Sequence, residues 1–299
     1  MVLLPPPLQH SPPSTRARGQ VQWLRITPYL ALQAGCLGVL FVGWSPVAVA
    51  VCLGLYLVRM FAITAFYHRY FSHRAFSTSR AVQFFFAVLG NASAQRDALW
   101  WAAHHRHHHR QSDMPEDRHS PVQHGLLWSH SGWFTTRENF ETDLSSIPDL
   151  ARFPELRLLN RHDWLVPVLF GAFLYGLGSW LATVAPSLGT SGAQLFVWGF
   201  CISTTLLFHA TFTINSLSHR FGTRRYATPD SSRNNVWLAL ITLGEGWHNN
   251  HHHYPHSVRQ GFFPGEFDPS YAVLKCMERL GLIWNLRPIP DHVLDEGRR

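Results

Sequence analysis

Long apolar runs alternate with polar segments along this chain in a repeated order. Residues 26–44 and 47–66 are apolar and are separated by a Gly43-Trp44-Ser45-Pro46 break. Residues 164–185 and 193–214 repeat the arrangement across Pro186-Ser187-Leu188-Gly189-Thr190-Ser191-Gly192. Each run approaches the ~20 residues a helix needs to cross a bilayer, and the Gly- and Pro-rich breaks favour tight connections. The pattern predicts an all-α membrane protein with four transmembrane helices paired as two hairpins. Arg59 interrupts the second run, where a buried guanidinium is costly, so it should snorkel or find a partner near the membrane face.

The polar segments should form a helical cap from residues 67–163 and 215–290. Within them, Phe84-Phe85-Phe86-Ala87-Val88-Leu89 is too short to span and reads as interfacial or re-entrant. Residues 147–159 read as an amphipathic surface stretch broken by Pro148 and Pro154. Asp268-Pro269-Ser270 should start a last amphipathic helix, with Tyr271, Leu274, Met277 and Leu280 near one face. Residues 1–25 lack a long apolar core of the signal-peptide kind and read as a disordered tail, with residues 291–299 as a second tail. One membrane domain, 26–290, lies between. The loops 43–46 and 186–192 contain no Lys or Arg, whereas the other polar segments hold nearly all of them. By the positive-inside rule both termini and the cap should be cytoplasmic.

Composition agrees with that picture. Hydrophobic residues make up 46% of the 299 residues and charged residues only 14%, well below the roughly 25% usual in soluble proteins. The formal charge of +7 is carried almost wholly by arginine, Lys275 being the only lysine. No basic stripe accompanies it, so nucleic acid is not an expected partner, and an anionic membrane surface explains it better. Cys36, Cys52, Cys201 and Cys276 form no C-x-x-C pair, which argues against a disulfide framework or thiolate zinc site. All four read as buried thiols.

Histidine changes the picture. Twenty histidines exceed the eighteen acidic residues, and many fall into clusters on the same side of the expected membrane. His105, His108 and His109 stand at i, i+3 and i+4, so one helical turn aims them together; His248, His251 and His252 repeat the spacing. His68 and His73 lie five positions apart, about 140° off one α-helical face, and should straddle a helix end. Asn215 and His219 share a face after the fourth run. Neutral imidazole is a strong ligand for iron, copper, nickel or zinc, and this set exceeds what one ion can use, so two metals are implied. His104 and His107 fall outside the repeated spacing. His119, His124, His130, His253 and His256 have no paired spacing and read as structural or as ligand supports. His209 should be packed or line a tunnel. Asp113, Asp117 and Glu245 are candidate acceptors for ligand N–H groups.

His68-x4-His73, His105-x2-His108-His109, Asn215-Ser216-Leu217-Ser218-His219 and His248-x2-His251-His252 together resemble the membrane fatty acyl desaturases of the stearoyl-CoA (delta-9) type. Ser129-His130-Ser131-Gly132-Trp133 and Gly244-Glu245-Gly246-Trp247 extend the resemblance, which covers roughly residues 47–285 and is closest to bacterial members. It implies a di-iron centre ligated by His68, His73, His105, His108, His109, His219, His248, His251 and His252, with Asn215 reaching iron through water. It also implies that O2 and externally supplied electrons insert a cis double bond, commonly at the ninth carbon, into an acyl chain carried on CoA or membrane lipid. A ferredoxin or cytochrome with its reductase would supply the electrons, since no cytochrome-like domain is appended. The substrate calls for a dry tunnel, for which Phe66, Trp101, Phe212 and Trp247 are candidate walls. Ala103, His104 and Glu138 stand where acyl-CoA members carry the charged residues that hold the CoA head, so that grip is only partly reproduced.

The nearest alternative is a histidine-rich membrane hydroxylase of alkanes or fatty acyl chains. A metal transporter fits less well, because transporters place ligands near the bilayer midplane on broken helices. None of the four runs offers a paired His, Asp or Glu at mid-depth.

Overall fold

The computed structural model describes residues 19–298. Four helices are long and apolar enough to cross a membrane: Trp23–Val42, Pro46–Ser72, Leu165–Val184 and Gly192–His219. They carry large apolar side chains outward, with Leu40 and Phe41 77% and 88% exposed, a surface that calls for lipid rather than water. Exposed tryptophans mark the ends of this apolar zone: Trp23 and Trp164 beside the cap, Trp44 and Trp180 away from it. Such belts suit the headgroup level. The chain is an integral membrane protein by these criteria.

The third and fourth spans pack tightly because Gly178 lets them approach. A Cβ there would lie 2.4 Å from the Ser191 carbonyl oxygen. Arg59 does not snorkel but finds uncharged partners. It is fully buried and donates to Ser203 Oγ and Thr204 Oγ1 at 2.7 Å and to the Ala92 carbonyl at 3.0 Å. Its guanidinium also lies 4.9 Å from the centre of the Phe170 ring. One arginine thus ties the second, third and fourth spans to the cap, and its cost is offset by satisfied donors.

The second span runs six residues beyond the expected end, and its last part, Ala62–Ser72, is π-helical. It continues into the cap, where its residues from Ala62 to Ser72 are all buried. The cap wraps this end with α1 (Arg80–Asn91), α2 (Ala98–Gln111), α3 (His248–His253) and α4 (Pro269–Arg279). The expected apolar patch at residues 84–89 lies in α1, where Phe86 stacks on Phe66 with ring centroids 3.6 Å apart. The stretch at 147–159 is less superficial than its pattern suggests. Ile147, Leu150 and Leu156 are buried, and Asp149 accepts from Arg74 and Arg106 at 2.8–3.0 Å. Asp268 caps α4 through the Tyr271 amide at 3.0 Å; Leu274 and Met277 are buried while Leu280 is exposed. Strands β1 (Ser77–Thr78) and β2 (Ile283–Trp284) pair antiparallel and join the two halves of the cap. A further helix, Asp291–Gly297, occupies much of the expected C-terminal tail, and the Tyr226 hydroxyl donates to its Val293 carbonyl at 3.0 Å. The expected N-terminal tail falls outside the described residues as far as residue 18. Cys52 and Cys201 are buried as expected, whereas Cys36 is half-buried and Cys276, on the outer face of α4, is exposed.

Candidate metal centre

Two groups of histidines converge beneath the spans. His68, His73, His105, His109 and His251 form one; His108, His219, His248 and His252 form the other. The ligand atoms in each group lie within 4.8 Å of one another.

Local structure explains the sorting. His68 and His73 straddle the helix end as expected, His68 within it and His73 capping it, but they do not lie on different faces. The π-helical i→i+5 repeat, with the His73 amide donating to the His68 carbonyl at 3.2 Å, brings residues five apart onto one face. Their rings meet edge to face with centroids 4.9 Å apart. A π segment in place of α-helix is a recurrent device at functional sites. Along α2 the three histidines do not all aim alike. His105 and His109, one turn apart, go to the five-histidine group, whereas His108 turns to the other. Along α3 the division is reversed, with His248 and His252 in the four-histidine group and His251 crossing to the first. Positions i+3 and i+4 flank position i by about −60° and +40°, enough to serve two ions. The start of α2 is fixed by Asp97, whose carboxylate accepts from the Leu99 and Trp100 amides at 2.8 and 3.4 Å. Ahead of α3, Gly244 (φ 119°) lies so close to Asp268 that a Cβ would sit 2.5 Å from its Oδ1, and L side chains rarely adopt that backbone.

The imidazoles face one another through their Nε2 atoms. His68–His251, His251–His109 and His248–His219 are each 3.0 Å apart, and His73–His105 is 2.8 Å apart. Several of these rings commit their other nitrogen elsewhere. His108 Nδ1 meets Asp117 at 3.0 Å, His219 Nδ1 meets Asp113 at 3.2 Å, His68 pairs with Glu245 and His252 with Asp230. A carboxylate on Nδ1 fixes the proton there and leaves Nε2 as a bare acceptor. Bare acceptors 3.0 Å apart repel unless a cation lies between them. Two ~2.1 Å metal–nitrogen bonds at right angles would set this ~3.0 Å separation. Among the described residues, His248 Nδ1, His251 Nδ1 and His252 Nε2 have no hydrogen-bond partner. The donor set therefore fits two metal ions.

Burial keeps the rings in the ligating form. It lowers His73, His105, His109, His248 and His251 well below the ordinary histidine range, and neighbouring imidazoles push the same way. At His108 burial is outweighed by Asp117, Asp113 and Asp230, and the result is a raised value. Burial would raise Asp117, Asp113 and Asp230, but the histidines and hydrogen bonds hold all three well below the carboxylate range. Glu245 is likewise lowered by His68 and Arg69 against the opposing effect of burial. Arg69 anchors it at 3.0 Å and also holds Asp268 at 3.0 Å.

Asn215 belongs to neither group, but it lines a cavity of about 30 Å³ that His68, His105, His108 and His248 also line. It also reaches a larger cavity of about 660 Å³, whose mainly apolar walls include Trp101, Trp133, Phe134, Phe208 and Phe212. Trp101 and Phe212 thus line it as expected, whereas Phe66 and Trp247 do not. Phe66 is packed on Phe86, and Trp247 donates to the Phe267 carbonyl at 2.8 Å. His104 lines the large cavity and is held by Arg118 at 2.9 Å, while His107 points outward to the Glu116 carbonyl at 3.0 Å. His209 stays outside the cavity, stacked on His130 with nitrogens 2.9 Å apart.

His119 gains a place that its isolated spacing did not suggest. It forms a small group with His108 and Asp117, lines the cavity, and is pushed down to about 3 by burial. Asp230 was also missed. It lies 22 residues from its partner His252 in an irregular Pro-Asp-Ser-Ser turn, and no periodicity connects the two. Its only sequence signal is an acid within a segment short of acids.

A family model described as fatty acid desaturase matches residues 43–260. The chain is 32% identical over 277 residues to a hex-5-enoyl-[acyl-carrier protein] acetylenase of Moorena producens (strain JHB), covering 86% of this chain and 82% of the relative. It is 30% identical over 278 residues to an sn-1 stearoyl-lipid 9-desaturase of Anabaena variabilis, covering 92% and 97%. An acyl-CoA C20 delta-5 desaturase of Anemone leveillei is 34% identical over 247 residues, covering 81% and 74%. The names of these three relatives state three different acyl carriers.

Proposed function

The chain belongs to the fatty acid desaturase family, and on that premise we propose that it inserts a cis double bond at the ninth carbon of a saturated acyl chain. The acyl chain is carried on membrane lipid or CoA, and a separate ferredoxin- or cytochrome-type donor with its reductase supplies electrons at the cytoplasmic face of a bacterial inner membrane. The chain is an oxidoreductase of the acyl desaturase type.

The observation that carries this reading is the convergence of nine imidazoles into two groups beside an apolar cavity. The His68, His73, His105, His109 and His251 side chains would hold one iron, and His108, His219, His248 and His252 the other, with Asn215 facing the space between the groups. When bound, the two irons would supply O2 activation, because an unactivated methylene offers no acidic proton to a side-chain base. The protein's own residues then position and exclude. Trp101 stacks on His105 with centroids 5.3 Å apart and forms the wall against which a methylene would rest. Trp133, Phe134 and Phe212 keep water from the acyl chain. Asp117, Asp113, Asp230 and Glu245 hold the imidazole protons on Nδ1. In the overall balance the two hydrogens lost by the substrate, two external electrons and two protons reduce O2 to two waters.

Expression in a host that lacks unsaturated fatty acids, with gas chromatography–mass spectrometry of its lipids, tests the reading. A delta-9 cis alkene is expected, and a hydroxy acid without an alkene would overturn it in favour of a hydroxylase.

A further inference from the structure

The large cavity is open along one flank, and its mouth has a distinct chemistry. Its lining follows the fourth span from Asn215 through Thr211, Phe208 and Phe200 to Phe196, roughly 28 Å at 1.5 Å per residue. The first span contributes Arg25, Pro28 and Tyr29, and the third contributes Trp164, Pro167 and Val168. These two spans both pack on the fourth and make at most marginal contact with each other. Arg25, Pro28, Trp164 and Val168 line the cavity and are exposed at the same time. The opening therefore lies between the first and third spans and faces the bilayer.

The charge at this opening is placed at a definite depth. Arg25 and Arg96 both lie against the Phe140 ring, 5.3 and 5.7 Å from its centre. Arg96 is engaged, with Asp163 at 2.9 Å and the Phe140 carbonyl at 2.9 Å. Among the described residues Arg25 has no carboxylate partner, so it leaves one cation uncompensated at the mouth. The exposed Trp23 and Trp164 set this level at the headgroups.

The lining extends from Trp101, His105 and Asn215 beside the histidine groups to Gly35, Gly171, Phe196 and Phe200 among the spans.

We propose that this opening admits a diacyl glycerolipid sideways from the bilayer, with its phosphate on the Arg25 guanidinium. One acyl chain then lies toward Trp101, His105 and Asn215 and the other toward Phe196 and Phe200. The inference rests on the desaturase reading and narrows its carrier to phosphate-bearing membrane lipid. Guanidinium suits phosphate because its planar fork donates to two oxygens at once.

Two measurements test the proposal. In the first, detergent-purified protein is offered dipalmitoylphosphatidylglycerol, dipalmitoylglycerol without phosphate, and palmitoyl-CoA, and bound species are counted by native mass spectrometry. The phosphatidylglycerol should be retained best, and Arg25→Gln should weaken its retention about tenfold. Arg279→Gln, which removes an exposed arginine on α4 outside the cavity lining, should leave retention unchanged. Equal losses in both variants, or no loss in Arg25→Gln, would overturn the proposal. In the second, iron-loaded protein in vesicles with a reducing system receives labelled palmitoyl groups as phosphatidylglycerol or as palmitoyl-CoA. New double bonds in the phosphatidylglycerol pool are expected. Double bonds confined to the CoA pool would overturn the proposal while leaving the desaturase reading intact. If no pool gained a double bond, the desaturase reading and the proposal resting on it would fall together, whatever lipid Arg25 retained.

Discussion

The five-histidine and four-histidine groups both draw ligands from α2 and α3, yet they sit in different charge environments. In the four-histidine group Asp117, Asp113 and Asp230 each buttress a different ring. In the five-histidine group Glu245 on His68 is the one carboxylate in contact with a ligand among the described residues, and Arg69 shares that carboxylate. The first arrangement orients its rings by charge, and the second relies on close packing of imidazoles that burial keeps neutral. An ion held by the five-histidine group would therefore retain more of its positive charge. The lesson is that a symmetric exchange of ligands between α2 and α3 can still yield two unlike sites.

The largest effects should come from removing ligands. His109→Ala and His248→Ala should each abolish double-bond formation while the protein still inserts, and each should lower the metal count by one. Loss of both ions in either variant would mean that the groups act as one site. Next come the buttresses. Asp230→Asn should weaken metal binding at the four-histidine group by about 10- to 100-fold and leave the other group loaded, as titration with a competing chelator can show.

Acid provides a third test. Free histidine titrates near 6.5, and the buried His73, His105, His109, His248 and His251 titrate well below it. Above about pH 6.5 folded and unfolded chains are equally unprotonated at these rings, so no stability is lost there. Below it the unfolded chain takes up protons that the folded chain refuses, and stability falls as the pH drops toward the depressed values. Metal-free protein in detergent should therefore unfold at progressively lower temperature below about pH 6.5. A flat profile would show that these rings are not held neutral. The smallest effect lies away from both groups. Thr204→Val strands one Arg59 donor and should cost about 1–3 kcal/mol of stability, with the metal count unchanged.

Much of the fold was legible because lipid demands long uninterrupted apolar runs, and residues 26–44, 47–66, 164–185 and 193–214 supply them. The histidine spacings were equally plain as one-turn patterns. What escaped was whatever depended on non-α geometry or on contacts distant in sequence. The π-helical turn at residues 62–72 carries no periodicity that distinguishes it from α-helix, so His73 read as lying off the face of His68. The division of each H-x2-H-H between two groups follows from how α2 and α3 face each other, which one helix alone does not specify. Asp230 and Gln260, whose amide nitrogen lies 3.1 Å from His68 Nδ1, sit in irregular loops and show no spacing relative to the rings they meet.

The most direct test of the central claim counts iron and product in the same sample. Protein loaded anaerobically with ferrous iron, then given saturated acyl substrate and O2 with no further reductant, should contain two irons per chain and form up to one alkene per chain. Alkene formed by protein holding one iron per chain, or by protein holding only zinc, would contradict the two-group account.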